Sequence, residues 1–173
     1  KRVWSTSEWP KESRNSRLAG ALMGVQSVKA VEVGDGLETA RRRGSVAHDE
    51  IDLTGAPGGE QRVQRRTDRA GGIEGGMTNG EPLIVRAVVK PIATIINPLP
   101  SVDLTTGELE QAHYERSDIT FVPTCGVIAE AMVMLTLADA FLEKFGGDHI
   151  DETKRNYQTY VLSLGPKHTP VKA

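Results

Sequence analysis

Apolar residues along this chain recur in three patterns, and each predicts a different element. Between Ser16 and Val25, Leu18, Leu22 and Val25 repeat at helical spacing with Ala19, Ala21 and Met23 alongside, a helix that Gly24 and Ser27 end. The run VKAVEVG alternates from Val28 to Val33 as a strand does, and Gly34-Asp35-Gly36 supplies a turn. In LIVRAVVK, Leu83, Val85, Ala87 and Val89 share one face, while Ile84, Arg86, Val88 and Lys90 share the other. Pro91 has no amide hydrogen and ends that ladder. VDLTTGELE reads as two short strands around the Thr105-Thr106-Gly107 turn. The third pattern is the nearly continuous apolar run from Val122 to Leu142. Pro123 opens it as a helix and Gly146-Gly147 closes it, which predicts a long buried helix. A last helix runs from an Asp151 cap to about Leu164, with Tyr157, Tyr160, Val161 and Leu164 in one stripe.

The segments between these elements are polar. Residues 37–70 carry Arg41, Arg42, Arg43, Arg62, Arg65, Arg66 and Arg69. Ile51 to Gln61 holds Gly55, Pro57, Gly58 and Gly59 without periodicity and predicts a long loop. Residues 1–15 mix Trp, Ser, Lys and Pro and read as a loose junction or tag, and 165–173 as a flexible tail. No solenoid-type repeat occurs.

Composition narrows the function classes. The 173 residues suffice for one domain or a large part of a bigger one. A net charge of −2 and a pI near 6.1 argue against a general nucleic-acid or membrane-surface binder. Glu130 and Asp139 interrupt the long apolar run and would be costly in lipid. The single cysteine, Cys125, excludes an internal disulfide and a cysteine-cluster zinc site, and suggests a reducing compartment. No signal peptide is visible, and a start at Lys1 suggests that something upstream is missing.

Three stretches could carry chemistry. In RAGGIEGGMTNG, residues 69–80, five of twelve residues are glycine. Two readings stand: a hinge or irregular connector, or bare backbone against which an anion or a flat ring lies. It is not the dinucleotide fingerprint, because these glycines precede a strand instead of following one. In VVKPIATI, Lys90 ends a strand before a proline bend and Thr94. It could face a phosphate or simply blunt a sheet edge. In HYERSDITFVP, Arg116 and Asp118 stand two apart, pointing the same way on an extended segment. They could form a fixed anion able to take a proton, or a structural ion pair. Cys125 reads as packed, His113 as a satisfied surface or core residue, and His48, His149 and His168 lack metal-ligand spacing. Glu130, on an apolar helix, calls for a buried partner.

Taken together and in order, VKAVEVGDG (28–36), ARRRGSVAHDE (40–50), RAGGIEGGMTNGEPLIVRAVVKPIATI (69–95), RSDITFVPTCGVIAEAM (116–132) and LADAFLEKFGGD (137–148) resemble the C-terminal half of the chorismate synthase family, over about residues 16–164. The resemblance implies an α+β fold, half of a β-α-β sandwich with a helical layer between antiparallel sheets, in a cytoplasmic homotetramer. It implies a lyase that converts 5-enolpyruvylshikimate-3-phosphate to chorismate and phosphate by 1,4-elimination, the last step to the common aromatic precursor. The reaction needs reduced FMN without net redox change, and the family is associated with NADP. Flavin contacts are implied at Gly75, at Lys90, Pro91, Ile92, Ala93 and Thr94, and at Arg116, which also meets substrate. Asp118 matches the aspartate that assists the flavin N5. No metal, nucleic acid or membrane is expected. Two histidine stretches of the family's other half, Gly-Glu-Ser-His-Gly and Pro-Gly-His-Ala-Asp, do not occur here. A chain with little or no activity of its own is therefore expected. The alternative is a non-catalytic flavin- or anion-binding or association module.

Overall fold

The computed structural model describes residues 13–55, 62–164 and 167–168. Ser13, the first described residue, is a helix cap, its hydroxyl oxygen accepting from the Ser16 amide at 3.2 Å. Helix α1, Arg14–Met23, follows, two residues earlier than the periodicity predicts. It buries Leu18 and Leu22 almost completely.

Strand β1, Val28–Val33, pairs antiparallel with β6, Val85–Val89. Both strands match the alternation in the sequence, and Val85, Ala87 and Val89 are the half-buried positions of β6. Between them run short elements: α2, Gly36–Arg41; α3, Gly44–Ala47; β2, Ile51–Thr54; β3, Arg62–Arg65; β4, Ile73–Glu74; and β5, Met77–Thr78. The first four residues of the expected loop are thus strand. Residues 51–54 pair antiparallel with 62–65, because Ile51 and Leu53 alternate with polar residues across from Val63 and Arg65, and only residues 56–61 lie outside the described residues.

Strands β7, Pro100–Val102, and β8, Leu109–Gln111, form the expected hairpin. The Asp103 carboxylate holds its turn by accepting from the Thr105 amide at 2.6 Å, and those bonds keep its pKa below the usual carboxylate range. Helix α4 spans Val122–Phe145 and α5 spans Ile150–Ser163. The cap of α5 is His149 in place of the expected Asp151: its Nδ1 accepts from the Asp151 amide at 3.2 Å. Strand β9, Lys167–His168, lies in the expected flexible tail and pairs parallel with β3; the rest of that tail, like residues 1–12, falls outside the described residues.

Helix α1 packs between β1 and α4, and the small core joins Val25, Val28 and Cys125 with Val31, Ala87, Val89, Phe121 and Met132. Cys125 is packed, as its apolar setting predicts. Arg14 and Arg17 reach Glu143 at 3.4 and 3.3 Å, and Arg17 also pairs with Asp139, which accounts for that acid on an apolar helix. Phe141 and Phe145 stack with Tyr157 and Tyr160 of α5 at 5.4–5.6 Å between centroids.

The expectation of a buried α4 needs correction. Along its 24 residues only Cys125 and Ala140 are buried, and Val127, Met134, Leu135 and Leu142 face outward. With a mean hydropathy of 1.8 the helix is long and apolar enough to cross a membrane by length and composition. The physical reason for its exposure is that α1, β6 and α5 cover one side of it and, among the described residues, nothing covers the other. Glu130 is exposed as well, at the rim of an apolar groove between α4 and β6, so it needs no buried partner.

Candidate functional site

The glycine block folds first onto the chain itself. Gly71 crosses Gly34 so closely that a Cβ on either would collide with the other segment's backbone, and one on Gly72 would meet the Pro82 and Glu81 carbonyls. These glycines have φ of 60–76°, which a larger residue adopts only with strain. The crossing is bonded throughout. Gly34 N–H donates to the Ile84 carbonyl at 2.8 Å, Asp35 N–H to Arg69 at 2.8 Å and Ile84 N–H to Gly71 at 3.2 Å. Gly75 and Gly76, with φ of 57° and 77°, form the two-residue turn between β4 and β5.

Carboxylates under the block hold it in place. Asp49 accepts from the Thr67 hydroxyl at 2.5 Å, the Arg69 amide at 2.8 Å and the Ala70 amide at 3.0 Å. Burial pushes its carboxyl up, but these bonds, with Arg65, outweigh it and leave it below the usual range. Asp68 accepts from the Gly72 amide at 2.8 Å, yet burial, then Glu81 and Asp49, raise it above that range. The arginines of residues 37–70 are mostly spent locally. Arg42 pairs with Asp35, Arg65 with Glu74 at 2.6 Å, and Arg66 with Asp52 at 2.7 Å and with Glu50, while Arg69 donates to the Val46 carbonyl.

A second place is built differently. Past the C-terminal end of α1, a cleft of about 530 Å³ is lined by Lys90, Pro91, Ile92 and Ala93 on one side and Ser117, Asp118 and Phe121 on another; Gln26, Ser27 and Lys29 complete it. Lys90 is placed there by the end of β6, where its amide donates to the Ser27 carbonyl at 2.8 Å before Pro91 turns the chain. The Thr94 hydroxyl donates to the Ser117 hydroxyl at 3.0 Å and so ties the two walls together. Phe121, at the start of α4, contributes an aromatic face. Among the described residues, the side chains of Lys29, Lys90, Arg116 and Asp118 enter no ion pair or hydrogen bond. Lysines without carboxylate partners in a concave site suit an anionic ligand.

The structure therefore brings together Lys90 to Ala93 and Asp118, with Thr94 as the brace. Arg116 lies two residues from Asp118 on an exposed stretch but does not line the cleft or pair with Asp118. Gly75 is elsewhere. The Arg14 amide donates to the Gly76 carbonyl at 3.0 Å, which places that turn at the N-terminal end of α1, a helix of about 15 Å by its ten-residue length, away from the cleft. Sequence reasoning missed Gln26, Ser27 and Lys29. The signal available was QSVK, a polar pair wedged between a helix and a strand before a lysine.

Comparison with known proteins agrees with the fold and with the ordered sequence blocks. The family described as chorismate synthase matches residues 8–142. A chorismate synthase of Frankia casuarinae is 60% identical over 150 residues, which is 87% of this chain and 38% of the relative. That of Thermobifida fusca is 59% identical over 87% of this chain and 37% of its own length. A solved chorismate synthase structure superposes with a TM-score of 0.67 at 39% identity, covering 87% of this chain and 36% of that one. The chain thus spans somewhat over a third of the length of the relatives it matches, and it belongs to the chorismate synthase family.

Proposed function

We propose that this chain supplies one wall of the active site of an enzyme that converts 5-enolpyruvylshikimate-3-phosphate to chorismate and phosphate, with reduced FMN held in the Lys90–Asp118 cleft. The observation that carries the reading is that cleft, where Lys90 and Asp118 stand unpaired across a space of ligand size. Its chemistry suits the flavin: cations for a phosphate, a proline-fixed backbone, and the Phe121 ring for a flat apolar body. Lys90 through Thr94 would hold it. Bound there, reduced flavin supplies electron density as phosphate departs.

The chain's own residues have simpler tasks. In the elimination phosphate leaves with the C–O electron pair, a proton is lost and a double bond forms, so no oxidant is consumed. Lys90 offsets phosphate charge and fixes its bearer. Asp118, an exposed carboxylate that lines the cleft, accepts a hydrogen bond or a proton at its oxygens. Arg116, exposed two residues before Asp118 and outside the cleft lining, would meet the substrate's anionic groups or the flavin in the complete site. Ile92 and Phe121 exclude water from the back of the cleft. The outward apolar side of α4 is a surface that the rest of a longer protein, or another subunit of a cytoplasmic homotetramer, would cover. Residues 1–173 alone should turn over substrate slowly or not at all.

The test is Asp118→Ala in the full-length protein. Turnover at saturating reduced FMN should fall about a hundredfold or more while flavin affinity changes little. If affinity collapses and turnover of the saturated enzyme survives, Asp118 only anchors flavin. In parallel, Lys90→Ala should weaken FMN binding, and unchanged binding would remove Lys90 from the site.

A further inference from the structure

Lys29 is the extra residue of a β-bulge. Val28 pairs with Val89 and Ala30 with Val88, so two residues of β1, Lys29 and Ala30, face one residue of β6. Bulges re-aim side chains and concentrate beside functional sites. One residue before Val28 comes a second irregularity: Ser27 has φ of 73°, the only positive value at a non-glycine among the described residues. A non-glycine there is strained, and such strain persists where surroundings over-determine it. Together they bracket Val28, which is buried in the core, and put its neighbours Ser27 and Lys29 in the cleft with Lys90. Strand geometry agrees. Lys90 sits opposite Ser27, whose carbonyl accepts its amide, and Lys29 and Lys90 are both exposed and line the same cleft, while their neighbours Val28 and Val89 pack in the core.

We propose that Lys29 is a second cation of this cleft and that Lys29 and Lys90 together hold one phosphate monoester. Two ammonium groups on adjacent strands can offset a phosphate dianion that one alone leaves half-neutralised. No carboxylate among the described residues pairs with either lysine. Asp118 also lines the cleft and pairs with neither lysine. The proposal rests on the cleft being the phosphorylated-ligand site. It adds a residue and a division of labour to that reading: the bulge supplies the charge and the proline bend the backbone.

The experiment uses the full-length protein with Lys29→Met, which keeps side-chain length without charge, and Lys29→Arg, which restores charge. Lys29 is exposed, so both should fold. Binding of reduced FMN, reduced riboflavin and inorganic phosphate is titrated, and KM for the phosphorylated substrate is measured. Removing a charge-assisted contact should weaken the phosphate-bearing partner about tenfold, with Arg recovering most of the loss. If the phosphate is the cofactor's, FMN affinity falls and riboflavin affinity does not. If it is the substrate's, FMN affinity holds and KM rises. Either supports the two-lysine site. If Lys29→Met changes none of the four while Lys90→Ala weakens FMN, the role of Lys29 is refuted and the cleft stands. If Lys90→Ala is equally silent, cleft and proposal fall together.

Discussion

At the Gly34–Gly71 crossing two backbone segments satisfy each other, whereas at the Lys90–Asp118 cleft the charged groups of facing segments meet nothing. Both places combine turns, polar residues and the end of a β strand. At the crossing, the space that missing side chains leave is filled by another stretch of the same chain. In the cleft the space stays open at about 530 Å³, and the nearby charges find no partner among the described residues. What separates a structural crossing from a binding site is therefore the partner of each group. Glycine density reports that something approaches the backbone closely, without saying whether it is a ligand or the chain.

The sharpest way to break this comparison is to put a methyl group on each side of it. Gly71→Ala would drive a Cβ into Gly34 at a φ of 62°. Strain and overpacking together should cost about 3–5 kcal/mol, enough to unfold a marginal protein. Gly75→Ala has a similar φ of 57° but meets nothing within 4 Å, so it should cost only about 1 kcal/mol. Denaturant unfolding of the two full-length variants measures both. Equal costs would mean that close approach at Gly34 does not decide the first. Flavin titration of Gly75→Ala sharpens the contrast further: unchanged affinity would assign flavin to the cleft alone.

A second, smaller effect concerns what holds the crossing. Asp49→Ala removes an acceptor from the Thr67 hydroxyl and from the Arg69 and Ala70 amides. Loss of these bonds to a charged, half-buried group should cost about 2–3 kcal/mol at neutral pH. The sign with pH follows from its direction. The folded pKa lies below the ordinary one, so the contribution is present above about pH 4 and disappears as pH falls through the folded value. Wild type and variant should converge in acid unfolding, and a gap that persists there would show that shape, not charge, is responsible.

How far the sequence carried these features depended on the range of the interactions. Local periodicity and turn chemistry placed β1 and β6 and the ends of α4, because each is decided by neighbours within a few residues. It missed β2 and the arginine-rich β3, which are held by cross-strand pairing and, just past β3, by the ion pair of Arg66 with Asp52, which no single-strand pattern displays. Exposure of α4 was illegible because burial depends on what else is present to cover it. In the site, Lys90 and Asp118 stood out by local chemistry. Lys29 did not, since a bulge is a mismatch of two strands and exists in neither alone. The glycine block drew attention for a sound reason, but much of its approach is to Gly34, thirty-seven positions before Gly71 in the chain.

The smallest expected effect has the opposite sign and tests whether the crossing is wholly satisfied. Asp68 keeps one oxygen on the Gly72 amide, while its other oxygen is buried without a hydrogen bond among the described residues. Glu81 and Asp49 repel its charge, and Arg65 only partly offsets them. Its folded pKa is raised, so its favourable contribution is complete below the ordinary value near pH 4 and is lost as pH rises through the folded value. At neutral pH the ionised carboxylate is therefore a burden on the fold. Asp68→Asn removes the charge and keeps a carbonyl oxygen for Gly72, so it should stabilise the protein by about 0.5 kcal/mol at pH 7, with the gain shrinking below pH 4. Thermal unfolding at the two pH values reads this directly. A variant less stable than wild type at pH 7 would mean that the Asp68 charge is needed by Arg65, and the crossing would then depend on ion pairing, much as the cleft is proposed to depend on a charged ligand.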